Sequence, residues 1–185
     1  KVKSPIGDIV ILKNKKDAVY IDVGGPPKKI HSYNYQLGPL SFEYFFEGKK
    51  IITNCGYGSK ISKKAERLSR LSSAQSTITI NNESVIKKDE IFNYKNSFKI
   101  YDTEFINDDT KILCIASHNA YYKKYGCVIR RQIELNKKDG NIYGSDEFIF
   151  DNTSENIFFD IRFHLYPEIQ VIKTMSGENY LIQLS

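Results

Sequence analysis

The sequence consists almost throughout of short apolar and aromatic runs with the two-residue period of a β-strand. The runs are rich in Ile, Val, Phe, Tyr and Thr, side chains that fit a pleated, half-buried surface. The predicted strands are residues 8–12, 18–23, 40–46, 50–54, 77–80, 98–105, 111–116, 128–135, 142–150, 157–165, 169–173 and 180–184. Only the segment from Lys63 to Ser73 predicts a helix, and that helix is short.

Tight turns join many of these runs. Residues typical of hairpin loops stand at 47–48, 107–109, 138–141 and 175–178. Because helices do not alternate with the strands, the pattern predicts an all-β, antiparallel sandwich or barrel and disfavours a parallel α/β fold. A chain of 185 residues is near the upper end of what one hydrophobic core supports. We therefore predict one domain over residues 1–185, with two small domains as the alternative.

The amino-acid composition excludes several classes of protein and favours one kind of partner. With 41% hydrophobic, 26% charged and 13% aromatic residues, the chain is unlike disordered, collagen-like or disulfide-scaffold proteins. No stretch approaches the roughly 20 apolar residues of a membrane helix, so we predict no membrane insertion. Lys and Arg outnumber Asp and Glu by 27 to 22, a formal charge of +5. This balance favours a polyanionic partner, whether nucleic acid, an anionic lipid surface or an acidic polysaccharide.

The cysteines and the chain ends carry separate information. Cys55, Cys114 and Cys127 lack C-x-x-C spacing and cannot all pair, so they indicate neither a zinc knuckle nor a disulfide framework. We expect them to be small buried residues within strands. The sequence begins at Lys1 without an initiator Met and ends at Ser185 directly after an apolar run. These ends predict a piece of a longer protein, truncated on both sides.

Several common functional motifs are missing from the sequence. It contains no glycine-rich phosphate loop, no His-Glu-x-x-His pair and no Gly-x-Ser-x-Gly elbow. Nucleotide-binding, zincin and hydrolase-elbow functions therefore lack support. Lysines stand singly or in pairs, mostly beside predicted turns, where solubility and protection of sheet edges explain them better than a nucleic-acid patch. We predict no nucleic-acid partner.

Two features remain as candidates for a binding site. The segment from Lys60 to Arg70 is dense in basic residues, which either face an anionic ligand or lie on a solvated helix. We favour solvation for its lysines but not for Arg70. His118 follows a predicted strand beside two tyrosines and is placed to bind or neutralise a carboxylate. His164 alternates within a strand and is interpreted as a hydrogen-bonded strand residue. No two histidines have ligand spacing, so spacing predicts no metal.

A series of motifs follows one order along most of the chain. They lie at residues 22–27, 35–43, 52–56, 70–77, 117–121, 126–131 and 162–167. Together they resemble the C-terminal β-sandwich domain of bacterial heparinase II/III-like proteins. In that family the second motif usually reads Ala-His-Ala-Gly-x-Leu-Ser-Phe-Glu, where this chain has Gln36 and ends on Leu40-Ser41-Phe42-Glu43. The resemblance implies a multi-stranded, supersandwich-like fold.

The resemblance also implies a function. Such proteins are two-part polysaccharide lyases, in which a preceding α/α-toroid domain, not included in this sequence, supplies most of the catalytic base and acid. The implied substrate is a uronic-acid-containing polysaccharide such as a glycosaminoglycan, cleaved by β-elimination. The uronate carboxylate is neutralised, a Tyr or His removes the C5 proton, and the glycosidic oxygen leaves with a proton. The catalytic residues of this chain are unknown.

The implied partners are an acidic polysaccharide and the chain's own toroid domain. The implied location is the periplasm or cell envelope, with the cytoplasm as the alternative. Some characterised relatives hold a structural zinc on two histidines and a carboxylate, and the matching positions here are Gln36, Asn54 and Gln75. Neutral amides replace these ligands poorly, so we predict no zinc and no cofactor.

These considerations give a specific set of site residues. We predict that Arg70 and His118 contact an anionic sugar in the full-length protein, with Gln36, Asn54 and Gln75 as a polar cluster beneath them. The isolated piece is expected to be catalytically silent.

Each residue has a structural alternative. Arg70 pairs with a nearby acid such as Glu66, or the amides are ordinary hydrogen-bonded core residues. The alternative function is a non-catalytic carbohydrate-binding or scaffold sandwich that has lost the lyase histidines.

Overall fold

A computed structural model of the chain describes residues 7–27, 35–85, 98–151 and 156–184. Strands are the main regular structure of these residues, as the sequence pattern predicts. The strands are β1 Ile9–Lys13, β2 Asp17–Asp22, β3 Phe42–Phe46, β4 Lys49–Thr53, β5 Ile78–Ile80, β6 Ile100–Asn107, β7 Lys111–Tyr121, β8 Cys127–Asn136, β9 Ile142–Phe150, β10 Phe159–Ile161, β11 His164–Leu165, β12 Gln170–Lys173 and β13 Tyr180–Gln183. The helices are α1 Lys63–Ser69 and α2 Tyr122–Tyr125.

The strands form two main antiparallel sheets. One has five strands in the order β1-β2-β3-β4-β11, and the other has four in the order β6-β7-β8-β9. Two further pairs, β5 with β10 and β12 with β13, are each two-stranded. Every pairing between these strands is antiparallel. The prediction of an all-β antiparallel fold is confirmed.

The core lies between the two main sheets. Along β8, for example, buried side chains alternate with partly exposed ones, as the strand period requires. The largest cluster of buried apolar residues comprises Val10, Leu12, Val19, Ile21, Val23, Leu40, Phe42, Ile112, Cys114, Ala116, Ile133 and Leu135. Since these residues come from both sheets, and β1 contacts both β7 and β8, the architecture is a β-sandwich.

The predicted hairpin between β3 and β4 is formed by Glu47 and Gly48. Both residues have positive φ, 48° and 81°, which a two-residue type I′ turn requires of its central positions. Glycine adopts this conformation without steric cost, whereas Glu47 takes it because the flanking strands are paired from Tyr44 to Ile52. The turn therefore places β3 beside β4, and both strands contribute to the site described below.

The helical segments depart from the sequence pattern in two ways. Helix α1 begins after Ser62, whose hydroxyl accepts the Ala65 N–H at 3.0 Å, but it ends at Ser69 rather than Ser73. The structure also adds α2, a single turn closed by Gly126 in the left-handed conformation, which the sequence pattern did not predict. Within the described residues, no helix has the length and apolar character of a membrane span.

All three cysteines are free thiols. Cys114 and Cys127 are buried in β7 and β8, as predicted for small residues within strands. Cys55 differs from the prediction, since it follows β4 and is exposed. No disulfide therefore contributes to the stability of the sandwich.

Candidate functional site

A cavity of about 340 Å³ lies on the outer face of the five-stranded sheet. It is lined by Ile9, Tyr20, Asp22, Gln36, Ser41, Glu43, Phe45, Asn54 and Gln75. The three amides predicted as a polar cluster therefore meet at one cavity. We call this cavity the amide cavity.

Strand alternation places much of the lining of the amide cavity. In β2, Val19 and Ile21 point into the core, so Tyr20 and Asp22 point outward. Tyr20 is paired with Glu43 of β3, which brings their side chains to the same face. The sequence analysis missed these lining residues. The signal for them was the polar and aromatic side chains that alternate with buried residues along β2 and β3.

Asn54 connects three walls of the amide cavity. Its Oδ1 accepts the backbone N–H of Ser76 at 2.8 Å, and its Nδ2 donates to the Ser41 hydroxyl at 3.4 Å. Its backbone N–H donates to Oε1 of Glu43 at 3.1 Å. Asn54 thus ties the end of β4 to β3 and to the segment after α1. This network restricts the orientation of an amide that also faces the cavity.

Gln75 forms the floor of the amide cavity. It is 1% exposed, and its Nε2 donates to the carbonyl of Ser69 at 2.8 Å. Gly38 packs directly on it, since a Cβ at Gly38 would lie 2.9 Å from both Cβ and Cγ of Gln75. A side chain at position 38 would therefore displace Gln75 or the loop. The close approach of Gly38 allows the segment from Gln36 to Ser41 to close over Gln75.

Arg70 lies beneath the amide cavity and does not line it. The side chain is fully buried, and Nε donates to the carbonyl of Tyr35 at 3.2 Å. The Arg70 carbonyl accepts the Leu37 N–H at 3.0 Å. These two bonds hold the backbone on both sides of Gln36. In the structure Arg70 therefore acts on the position of Gln36 and has no direct access to a ligand in the cavity.

The alternative partner of Arg70, Glu66, is also buried. Its carboxylate accepts hydrogen bonds from the Tyr57 hydroxyl at 2.8 Å and from Nζ of Lys63 at 3.2 Å. These bonds, with smaller contributions from the charges of Lys63 and Arg70, lower the pKa of Glu66.

His118 is 1% exposed and lies away from the amide cavity. Its Nδ1 accepts the Ala120 N–H at 3.3 Å, and its ring lies 6.4 Å from that of Phe98 and 6.2 Å from that of Tyr121. Burial, with a smaller contribution from the charge of Arg131, lowers the pKa of His118 to about 3. The imidazole is therefore neutral at pH 7 and supplies no charge to a carboxylate. The structure does not bring His118 together with the three amides.

The amide cavity also contains two carboxylates. Burial raises the pKa of Asp22 to about 6, although the Gly24 N–H that donates to Oδ1 at 2.9 Å opposes this shift. Glu43 is paired with Nζ of Lys50 at 2.8 Å. Tyr20 and Phe45 form an aromatic wall with ring centres 5.5 Å apart. Amides, carboxylates and aromatic rings together provide hydrogen bonds and apolar contact for a polyhydroxylated ligand.

A second cavity, of about 480 Å³, has Phe45 in common with the amide cavity. Its lining includes Lys49, Lys50 and Tyr166. Glu168 also lines this cavity, and Lys50 is the partner of Glu43, so carboxylates accompany both ammonium groups.

The amide cavity does not fit the zinc ion that the family resemblance suggests. Asn54 and Gln75 already hydrogen-bond to Ser76 and Ser69, and neutral amides are weak zinc ligands. Across the described ranges, no three His, Cys, Asp or Glu side chains gather in a way that could hold a metal ion. We therefore derive no chemistry from a metal at this site.

Comparison with known proteins relates this fold to one family. The sequence matches the family described as Heparinase II/III-like, C-terminal, over residues 3–185. A heparinase III structure with methylated lysines superposes with a TM-score of 0.73 at 14% identity, covering 98% of this chain and 26% of that one. A heparan sulfate lyase from Pedobacter heparinus gives 0.66 at 14% identity, covering 88% and 23%. No curated protein sequence matches the chain.

Proposed function

Because the chain belongs to the heparinase II/III-like C-terminal family, we propose that it is the sandwich domain of a polysaccharide lyase. The substrate is a uronic-acid-containing polysaccharide, cleaved by β-elimination. The base and acid lie mainly on a toroid domain elsewhere in the full-length protein. The chain spans about a quarter of the length of the heparinase structures that it resembles. The structural similarity to a heparan sulfate lyase supports the substrate class.

The convergence of Gln36, Asn54 and Gln75 on one cavity is the observation that carries this proposal. An amide offers both donors and an acceptor, and sugar hydroxyls need both. The aromatic wall of Tyr20 and Phe45 adds a surface on which the apolar face of a sugar ring packs. The domain would thus bind and orient the polymer, while the proton transfers occur on the other domain.

The charge of the whole chain, formally +5, favours an acidic polymer. Exposed charges of this kind increase the rate of association with a polyanion, and salt weakens their effect. In this arrangement the amide cavity takes sugar hydroxyls, and the net positive charge of the chain attracts the acidic polymer.

Arg70 and His118 have different roles in the proposal from direct contact with the sugar. Arg70 positions Gln36 through its bonds to Tyr35 and Leu37. His118 is a buried neutral residue of the sandwich. The test of the site therefore uses Gln36, a half-buried residue whose side chain lines the cavity.

The experiment measures turnover of heparan sulfate by the full-length protein, followed by the rise in ultraviolet absorbance of the unsaturated product. We expect Gln36→Ala to reduce kcat/KM about two- to tenfold, as expected for one lost hydrogen bond. The matched control is Gln170→Ala, an exposed amide of β12 outside the cavity, which should leave turnover unchanged. Equal effects of the two variants would contradict the proposal. The isolated sandwich should give no product.

A second candidate is a non-catalytic carbohydrate-binding or scaffold protein. It is favoured by the amides Gln36, Asn54 and Gln75, which stand where related lyases carry histidines and a carboxylate. In this case the full-length protein would bind heparan sulfate without any rise in absorbance. Gln36→Ala would then weaken binding while Gln170→Ala would not.

A further inference from the structure

Arg131 and Asp146 form a buried ion pair between the two sheets. They are paired residues of β8 and β9, and the side chains are 5% and 10% exposed. The guanidinium binds both carboxylate oxygens, with Nε to Oδ1 at 2.7 Å and Nη2 to Oδ2 at 2.9 Å. A fork of this kind fixes the orientation of the guanidinium more tightly than a single bond does. The pair lines an otherwise mainly apolar cavity of about 580 Å³.

The remaining nitrogen of Arg131 reaches across the sandwich. Nη1 donates to the carbonyl of Leu40 at 3.0 Å and to that of Ser76 at 3.5 Å. Leu40 has a φ of +53°, a conformation that a bulky side chain rarely adopts and that the surrounding contacts must maintain. Leu40 directly precedes Ser41, and Ser76 directly follows Gln75. Both neighbours line the amide cavity.

The two carbonyls that bind Arg131 also lie at the ends of the Asn54 network. The Ser76 N–H donates to Oδ1 of Asn54, and Nδ2 of Asn54 donates to the hydroxyl of Ser41. Hydrogen bonds and short backbone links therefore connect the guanidinium through Ser76 and Asn54 to Ser41, and from there to Leu40. The opposite sheet thus contacts the backbone next to the amide cavity through Arg131.

We propose that Arg131 is a positioning residue for the amide cavity, which holds Ser41 and Gln75 in place by binding the carbonyls of Leu40 and Ser76. The inference rests on the proposed function of that cavity as a sugar site. A lysine at this position retains the charge beside Asp146 but has one ammonium group and no fixed fork. It cannot reproduce the bidentate pair together with the bonds to both carbonyls.

The test compares Arg131→Lys with Arg130→Lys in the full-length protein. Arg130 is the adjacent arginine, 39% exposed and 3.8 Å from Glu104. Amide hydrogen exchange is measured for Ser76 and for the paired residues of β7 and β8. In Arg131→Lys we expect the Ser76 amide to exchange about tenfold faster, with little change in β7 and β8, since only the local network opens. Arg130→Lys should alter neither region.

Affinity for heparan sulfate provides the second readout. We expect Arg131→Lys to raise Kd about three- to tenfold, as the loss of one positioning bond predicts, and Arg130→Lys to change Kd less. Unchanged exchange at Ser76, or equal acceleration throughout the sandwich, would overturn the inference, because a purely structural role affects all amides together. If the wild-type protein does not bind heparan sulfate, the proposed function fails while the exchange data still decide the role of Arg131.

A second variant covers the case in which Arg131→Lys does not fold. Asp146→Asn keeps the guanidinium but weakens the fork that orients it. We then expect the same selective acceleration at Ser76, with a smaller factor of about threefold. Exchange that is unchanged or uniformly faster in this variant would overturn the inference equally.

Discussion

Two regions of the molecule reverse the usual relation between polarity and burial. The segment from Ser69 to Thr77 contains polar residues that are less than 4% exposed, which we call the polar layer: Ser69, Arg70, Ser72, Gln75, Ser76 and Thr77. The hairpin of β12 and β13 is rich in apolar residues, yet Val171, Ile172, Leu181 and Ile182 are all at least 43% exposed. In these two regions, the burial of a side chain depends on the residues that the fold packs against it and not on the hydropathy of its own segment.

The polar layer is stable in the interior because its groups have partners. The hydroxyls of Ser72, Ser76 and Thr77 donate to backbone carbonyls at 2.6, 2.7 and 2.6 Å. These bonds attach the layer to the loop after Tyr35 and to the end of β4. The hairpin, by contrast, forms a separate two-stranded sheet among the strands that the structure describes. The amide cavity takes Gln75 from the polar layer and no lining residue from the hairpin.

The largest expected effect comes from removing a core side chain. Leu135→Ala should lower the free energy of unfolding by about 2–5 kcal/mol, because Leu135 is fully buried and leaves a cavity. Leu181→Ala in the hairpin should change it by less than about 0.5 kcal/mol. Urea denaturation of the two variants measures both values. A cost above about 1 kcal/mol for Leu181→Ala would contradict the difference between core and hairpin, since it would show that Leu181 is packed against other residues.

The polar layer gives the next largest effect. Gln75→Met keeps the approximate length of the side chain but removes its bond to the Ser69 carbonyl, and should cost about 1–3 kcal/mol. Gln183→Met, at an exposed position of β13, is the matched control and should have almost no effect. Thermal unfolding monitored by circular dichroism distinguishes the two. Similar costs would mean that the layer does not depend on its hydrogen bonds.

Acidification should weaken the sandwich through His118. Its pKa is about 3 in the folded protein, below its ordinary value of about 6.5, so the unfolded chain binds more protons between these values. The stabilising effect of the neutral imidazole is complete above about pH 6.5, and about 2 kcal/mol of it is lost by pH 5. Asp22, whose pKa is raised, shifts stability in the opposite direction.

Urea denaturation at several pH values, with a His118→Gln variant, isolates the contribution of His118. The difference in unfolding free energy between wild type and variant should narrow as the pH falls from 7 to 5. A difference that does not change with pH would contradict the assignment of a buried neutral imidazole.

The smallest expected change in unfolding free energy is for a substitution in the exposed hairpin of β12 and β13. Ile182→Thr should change the unfolding free energy by less than about 0.5 kcal/mol, because Ile182 is 46% exposed. Ile21→Thr, at a buried position of β2, should cost more because it places a hydroxyl in the core. Chemical denaturation of both variants measures the two losses of unfolding free energy. Equal costs would contradict the exposure of the hairpin.

The strands were largely predictable from the sequence because a two-residue period reports directly on which face of a sheet is buried. Strand β9, residues Ile142–Phe150, has the predicted boundaries. The run 157–165 instead divides into β10 and β11, which pair with different strands. Periodicity carries no information about pairing between distant strands, so this division could not be read from the sequence.

The candidate site was predictable only in part. The resemblance to the family identified Gln36, Asn54 and Gln75 as a group, and the structure brings them together. The burial of Arg70 and His118 could not be anticipated, since a strand or helix pattern gives the face of a residue but not its depth. The role of Arg131 depends on contacts with residues 55 and 91 positions away, which local sequence cannot show.

The most direct test of the account is a structure of the full-length protein with a bound heparan sulfate oligosaccharide. The account predicts sugar oxygens within hydrogen-bond distance of the amides of Gln36, Asn54 or Gln75, and the ring against Tyr20 or Phe45. An oligosaccharide bound elsewhere, for example along the exposed hairpin of β12 and β13, with the amide cavity untouched, would contradict it.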